Sequence, residues 1–116
     1  MTSTTTTPAA AAEQRYADLV AAFTARPHVE LGAGRGFGGG ALRTGGKIFA
    51  MLDATGQFVV KLPAARVAAL IAAGQGRSFE AGKGRPMREW LAVDPAADWQ
   101  ALADEALRFA LPSGQR

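Results

Sequence analysis

The chain has 116 residues, 48% of them hydrophobic and 20% charged, with a formal net charge of +3 and no cysteine. That length supports one domain with a single core, and the balance is that of an ordinary globular protein. The absence of cysteine excludes a disulfide framework and a thiolate metal site. No apolar run approaches the ~20 residues a membrane span requires, and the N-terminus lacks the basic opening and apolar block of a secretory signal. A cytoplasmic location is the expectation.

Residues 1–11 are rich in Thr and then Ala, carry no charge and cannot bury a core face, so they read as a disordered tail. From Ala12 the apolar residues Ala12, Tyr16, Leu19, Val20 and Phe23 recur at helical spacing, and Arg26-Pro27 ends the segment because a residue before proline avoids the helical region. His28 to Leu31 reads as a short extended piece. Gly34, Gly36 and Gly39 satisfy G-x-G-x-x-G, but a dinucleotide site needs a strand before these glycines and a helix opening on them. A strand-like run, Ala41 to Thr44, follows instead, so the segment reads as a glycine loop. Nor is Gly46-Lys47 a P-loop, since Ala41 stands where its first glycine belongs and Ile48 follows the lysine.

The runs Lys47–Leu52 and Phe58–Leu62, linked by Asp53-Ala54-Thr55-Gly56, predict an antiparallel hairpin. Phe58, Val60 and Leu62 share one face, and Val59 and Lys61 the other. In the first run Ile48, Ala50 and Leu52 alternate with Lys47, Phe49 and Met51, so both faces are largely apolar, as in the interior of a sheet. Gly45-Gly46 has the composition of a two-residue turn, which adds Ala41–Thr44 as a third strand of a meander. Pro63 starts a helix with Val67, Leu70 and Ile71 buried and Gly74 as its left-handed cap. Residues 75–86, with three glycines and three cations, read as a loop. Met87–Val93 predicts a fourth strand, with Trp90 and Ala92 on one face. Asp94-Pro95 reads as the start of a last helix whose stripe is Trp99, Leu102, Ala103, Ala106, Leu107 and Ala110. The fold expected is a single α+β domain over residues 12–112, a mainly antiparallel sheet covered by about three helices, followed by a tail at 113–116.

The charge is uneven. Residues 26–88 hold ten Lys or Arg against three acids, and residues 89–116 hold two against five. A basic middle beside an acidic end can steer a polyanion to one side, or the two regions can face one another in the fold. Asp94 and Asp98 would repel a phosphate from the start of the last helix. The helix opening at Pro63, with Lys61 before it and Arg66 in its first turn, could take an anion. Arg77, Lys83, Arg85 and Arg88 could add phosphate contacts, or be neutralised by neighbours such as Glu80 and Glu89. His28, the lone histidine, has no Ser or carboxylate constellation assignable to it. The scattered acids do not make a metal site. Phe79 and Trp90 are the aromatics near the cluster, and Trp90 reads as buried. A non-enzymatic protein without cofactor or metal is expected.

Gly46–Met51, Val60–Ala64, Arg66-Val67, Leu70, Gly74–Phe79 and Gly84–Trp90 together resemble the TfoX/Sxy N-terminal domain and its YjbR/MmcQ-like relatives. The resemblance spans about residues 37–109 and is that of a short, standalone member. It implies a compact α+β domain without a cofactor, and a role as a DNA-binding or transcription-regulatory accessory, with DNA as partner. The other reading of the sequence is a protein-interaction domain, binding another protein or a second copy of itself, with no nucleic-acid contact.

Overall fold

The computed structural model describes residues 8–32, 40–53, 56–80 and 86–111. They form helix α1 (Pro8–Thr24), strands β1 (Glu30–Leu31), β2 (Leu42–Thr44), β3 (Lys47–Leu52) and β4 (Phe58–Lys61), helix α2 (Ala64–Ala72), strands β5 (Gly76–Glu80) and β6 (Pro86–Val93), and helix α3 (Trp99–Ala110). The six strands make one antiparallel sheet in the order β1-β2-β3-β4-β6-β5. This is the α+β domain read from the sequence. None of the described helices is long and apolar enough to cross a membrane.

The predicted turns are present. Gly45 and Gly46 sit at φ +58° and +81°, a pair of left-handed residues that matches the twist of the flanking strands. The β3–β4 link closes through a hydrogen bond from the Asp53 amide to the Gln57 carbonyl at 2.9 Å, and the Asp53 carboxylate accepts the Gln57 amide at 2.8 Å. Gly74, at φ +77°, ends α2: its amide donates to the Ile71 carbonyl and that of Gln75 to the Leu70 carbonyl, a Schellman motif.

Four readings are corrected. Helix α1 begins at Pro8 rather than Ala12, since an alanine run led by proline is itself a good helix start. The segment after Gly74 is not all loop: residues 76–80 are edge strand β5, paired with β6. Gly76 is there for contact rather than for a turn, because a Cβ on it would lie 2.5 Å from the Ala92 carbonyl oxygen. The last helix starts at Trp99, capped by Asp98, whose carboxylate accepts the Ala101 amide at 3.1 Å. Asp94 instead closes a turn, accepting the Ala96 amide on its carboxylate and the Ala97 amide on its carbonyl. Arg15 of α1 takes the Pro95 and Ala97 carbonyls at 2.6 and 2.7 Å, so those oxygens serve the interhelical contact. Finally, strict alternation fails in β3. Pairing jumps from Leu42↔Ala50 to Arg43↔Ile48, which makes Phe49 the extra residue of a β-bulge. Phe49 and Ala50 are consequently both fully buried.

The three described helices all pack on one side of the sheet. Tyr16, Leu19 and Phe23 of α1, Val67 and Leu70 of α2, and the whole predicted stripe of α3 except the half-buried Ala110 join Leu42, Phe49, Ala50, Leu52, Phe58, Val60, Leu62, Leu91 and Val93 in one buried cluster. At its centre the Phe58 and Trp99 rings stack with centroids 4.6 Å apart, and the Arg15 guanidinium lies over Trp99 at 4.1 Å. Each fully buried Phe, Leu or Val contributes ~2 kcal/mol, so this layer is the source of stability.

Candidate nucleic-acid interface

The strands alternate, so what they do not give to the helices they present on the opposite face. Cross-strand pairs place Met51, Val59, Ala92 and Arg77 in one row running over β3, β4, β6 and β5. Lys61 and Trp90 form the adjoining pair. Val59 and Ala92 are buried yet do not belong to the core cluster beneath the helices. Met51, Lys61 and Trp90 around them are half-buried, and Arg77 is exposed. No described helix covers this side. Beyond the bulge, Arg43 pairs with Ile48 and its side chain crosses Gly32, where a Cβ would come within 2.7 Å of the arginine Nε.

The Lys61 ammonium lies 5.9 Å from the centre of the Trp90 ring. Arg77 donates to Oε1 of Gln57 at 3.1 Å, and the Gln57 amide group donates to Asp53. With strands ~4.8 Å apart and ~3.3 Å between residues, the Lys61 and Arg77 backbones stand about 12 Å apart on this face, with Trp90 on the strand between them.

The other predicted anion contacts separate from these two. Arg66, in the first turn of α2, is held by Glu105 of α3 through two hydrogen bonds of 2.5 and 3.1 Å. That hydrogen bonding raises the Arg66 pKa. The Pro63 helix start therefore does have an acid nearby, brought in from a distant part of the chain. Arg88 is exposed on β6, in the stretch where the pairing with β5 is irregular. Lys83, Arg85, the G-x-G-x-x-G glycines and both tails lie outside the described residues.

Part of the acidic end faces part of the basic segment in the fold. Asp104 and Glu105 of α3 neutralise cations on the helical side: Arg26 meets Asp104 at 2.5 Å, Arg108 pairs with the same carboxylate, and Arg66 takes Glu105. Hydrogen bonds from Arg26 above all, and from Arg108, hold the Asp104 carboxyl below its usual range against the opposing effect of partial burial. Among the described residues no such ion pair joins Lys61, Arg77 or Arg88 to a carboxylate.

Other features carry less chemistry. His28 is exposed at φ 70° after Pro27, and no group of His, Cys, Asp and Glu among the described residues could hold a metal. A cavity of about 480 Å3 lies at the sheet end between α1 and the β6–α3 link. Its charged lining residues, Arg15, Arg77 and Asp94, are each hydrogen-bonded within the chain, so it offers no converging free polar groups of the kind that fix a small ligand.

Sequence reasoning pairs Trp90 with Ala92 on one strand face but takes the tryptophan as buried. The signal that could have moved it is its parity with Lys61, once the face beneath the helices is known. Comparison with known protein families, with curated proteins and with solved structures finds no match.

Proposed function

We propose that this protein is a non-enzymatic nucleic-acid-binding module, a regulatory accessory of the kind implied by the resemblance to TfoX N-terminal and YjbR-like domains. One observation carries the reading: Lys61 and Arg77 flank Trp90 on a sheet face that no described helix covers, free of ion pairs among the described residues, while the acids of α3 are engaged elsewhere. Cations so placed attract phosphates and release counterions, so binding weakens steeply with salt. Fluorescence anisotropy with labelled oligonucleotides at about 50 mM salt, near the low end where counterion release favours binding, tests it. Binding by the parent chain is expected, and the Lys61→Gln/Arg77→Gln double variant should lower the slope of log K against log salt by about 2, one for each phosphate no longer neutralised. No binding to any oligonucleotide, or a double variant that binds like the parent, would refute the proposal.

The edge position of β5, with Arg77 and Ser78 exposed, favours a second reading in which a partner chain adds a strand there. Light scattering that finds a dimer, together with absence of nucleic-acid binding, would select it.

A further inference from the structure

Resting on that reading, we infer that the nucleic acid taken by the open sheet face is single-stranded, with Trp90 as the platform on which a base stacks. Above the buried Val59 and Ala92, the accessible side chains of this face are the half-buried Met51 and Trp90 with the cations Lys61 and Arg77 beside them. A duplex keeps its bases inside and offers this surface phosphates alone, so the Trp90 ring would gain nothing from it. Its major groove admits a helix or a two-stranded ribbon, and a six-stranded sheet is too broad to enter. A single strand offers flat base faces for Trp90 and phosphates for Lys61 and Arg77.

A second copy of the chain is the competing occupant. Two-fold packing through this face would set Lys61 and Arg77 against their own copies, and Asp104 and Glu105 are engaged on the helical side. Charge complementarity thus favours a polyanion. Lys61 already lies over the Trp90 ring, but such a contact at a partly exposed site is weaker than the stacking of a base on an aromatic ring. The base prevails, and the lysine swings out to a phosphate.

The test compares a dT oligonucleotide with a duplex of equal length, by anisotropy and by tryptophan fluorescence, in the parent chain and in the Trp90→Leu and Trp90→Phe variants. Tighter binding of the single strand is expected, with quenching that Trp90→Phe abolishes. Trp90→Leu should weaken single-strand binding roughly 10- to 100-fold, and Trp90→Phe should restore most of it. Thermal unfolding of each variant separates lost stacking from lost fold, and quenching in the parent chain stands if Trp90→Leu fails to fold. Equal or tighter duplex binding without quenching overturns the single-strand inference and leaves the nucleic-acid reading standing. Unchanged affinity in folded Trp90→Leu also overturns it. Failure of both oligonucleotides to bind removes the two together.

Discussion

The two faces of the sheet share their strands and differ in almost everything else. Phe58 and Val59 are neighbours in β4, and both are fully buried. Phe58 lies among Tyr16 and Trp99 beneath the helices, whereas Val59 sits on the side with Lys61, Trp90 and Arg77. The helical face holds the large rings together and keeps its ion pairs at its rim. The opposite face keeps apolar residues in its middle, and the cations around them form no ion pair among the described residues. One alternating pattern thus serves folding on one side and, in the proposed function, recognition on the other.

The largest break in that comparison should come from Phe58→Ala. Removing a fully buried ring from the Tyr16–Phe58–Trp99 group should lower unfolding free energy by about 3–5 kcal/mol, measured by chemical denaturation. A drop of less than about 1 kcal/mol, small beside that range, would mean the helical face is not the source of stability. Gly76→Ala should come next. Its methyl would meet the Ala92 carbonyl and the Leu91 side chain, at 2.5 and 2.8 Å, and β5 must shift, costing roughly 1–3 kcal/mol. Hydrogen exchange should show amides of β5 and β6 losing protection while those of α1 and α3 keep theirs.

Titration gives a finer contrast. Burial pushes the hydroxyl of the sole tyrosine, Tyr16, up to about 12, against the lowering effect of a hydrogen bond from the Leu42 backbone. The hydroxyl itself donates to the Gly40 carbonyl at 2.7 Å. The folded chain holds its proton where the unfolded chain releases it. Stability from this group is therefore complete below pH about 10 and lost as pH rises through about 12. Asp104 works in the opposite direction: its lowered pKa gives stability present above the usual carboxylate range and lost as acid protonates the folded group. Ultraviolet absorbance should show Tyr16 ionising late and together with unfolding; ionisation near the ordinary value in the folded chain would contradict its burial. The smallest effect on stability belongs to Lys61→Gln/Arg77→Gln, expected to stay within about 0.5 kcal/mol. A larger effect would show that the open face is structural after all.

Much of this architecture is legible in the sequence. The stripe from Tyr16 to Phe23, the Gly45-Gly46 turn, the Gly74 cap and the α3 stripe each follow a local rule, and local rules are what a sequence displays. Strand β5 is hidden because glycine ordinarily marks a turn, while Gly76 answers to the Ala92 backbone brought beside it by pairing. Asp94 and Asp98 are equally good caps, and the choice between them is bound up with Arg15, which is far away in the chain. Phe49 turns inward through a bulge that depends on the partner strand.

The candidate site is legible in part. Lys61 and Arg77 are among the cations that the sequence singles out, and the structure keeps them on one face. Arg66 is another, but Glu105, distant in sequence, claims it. Which side of the sheet the helices cover cannot be read from strands apolar on both sides, and that choice leaves Trp90 outside the helix-covered core, half-buried.

Amide chemical-shift mapping during titration with a short single-stranded oligonucleotide addresses the division of labour between the faces most directly. The largest shifts are expected at Met51, Val59, Lys61, Arg77, Trp90 and Ala92, with α2 and α3 unmoved. Shifts concentrated around Arg66 and Arg108, on the helical side, would contradict it.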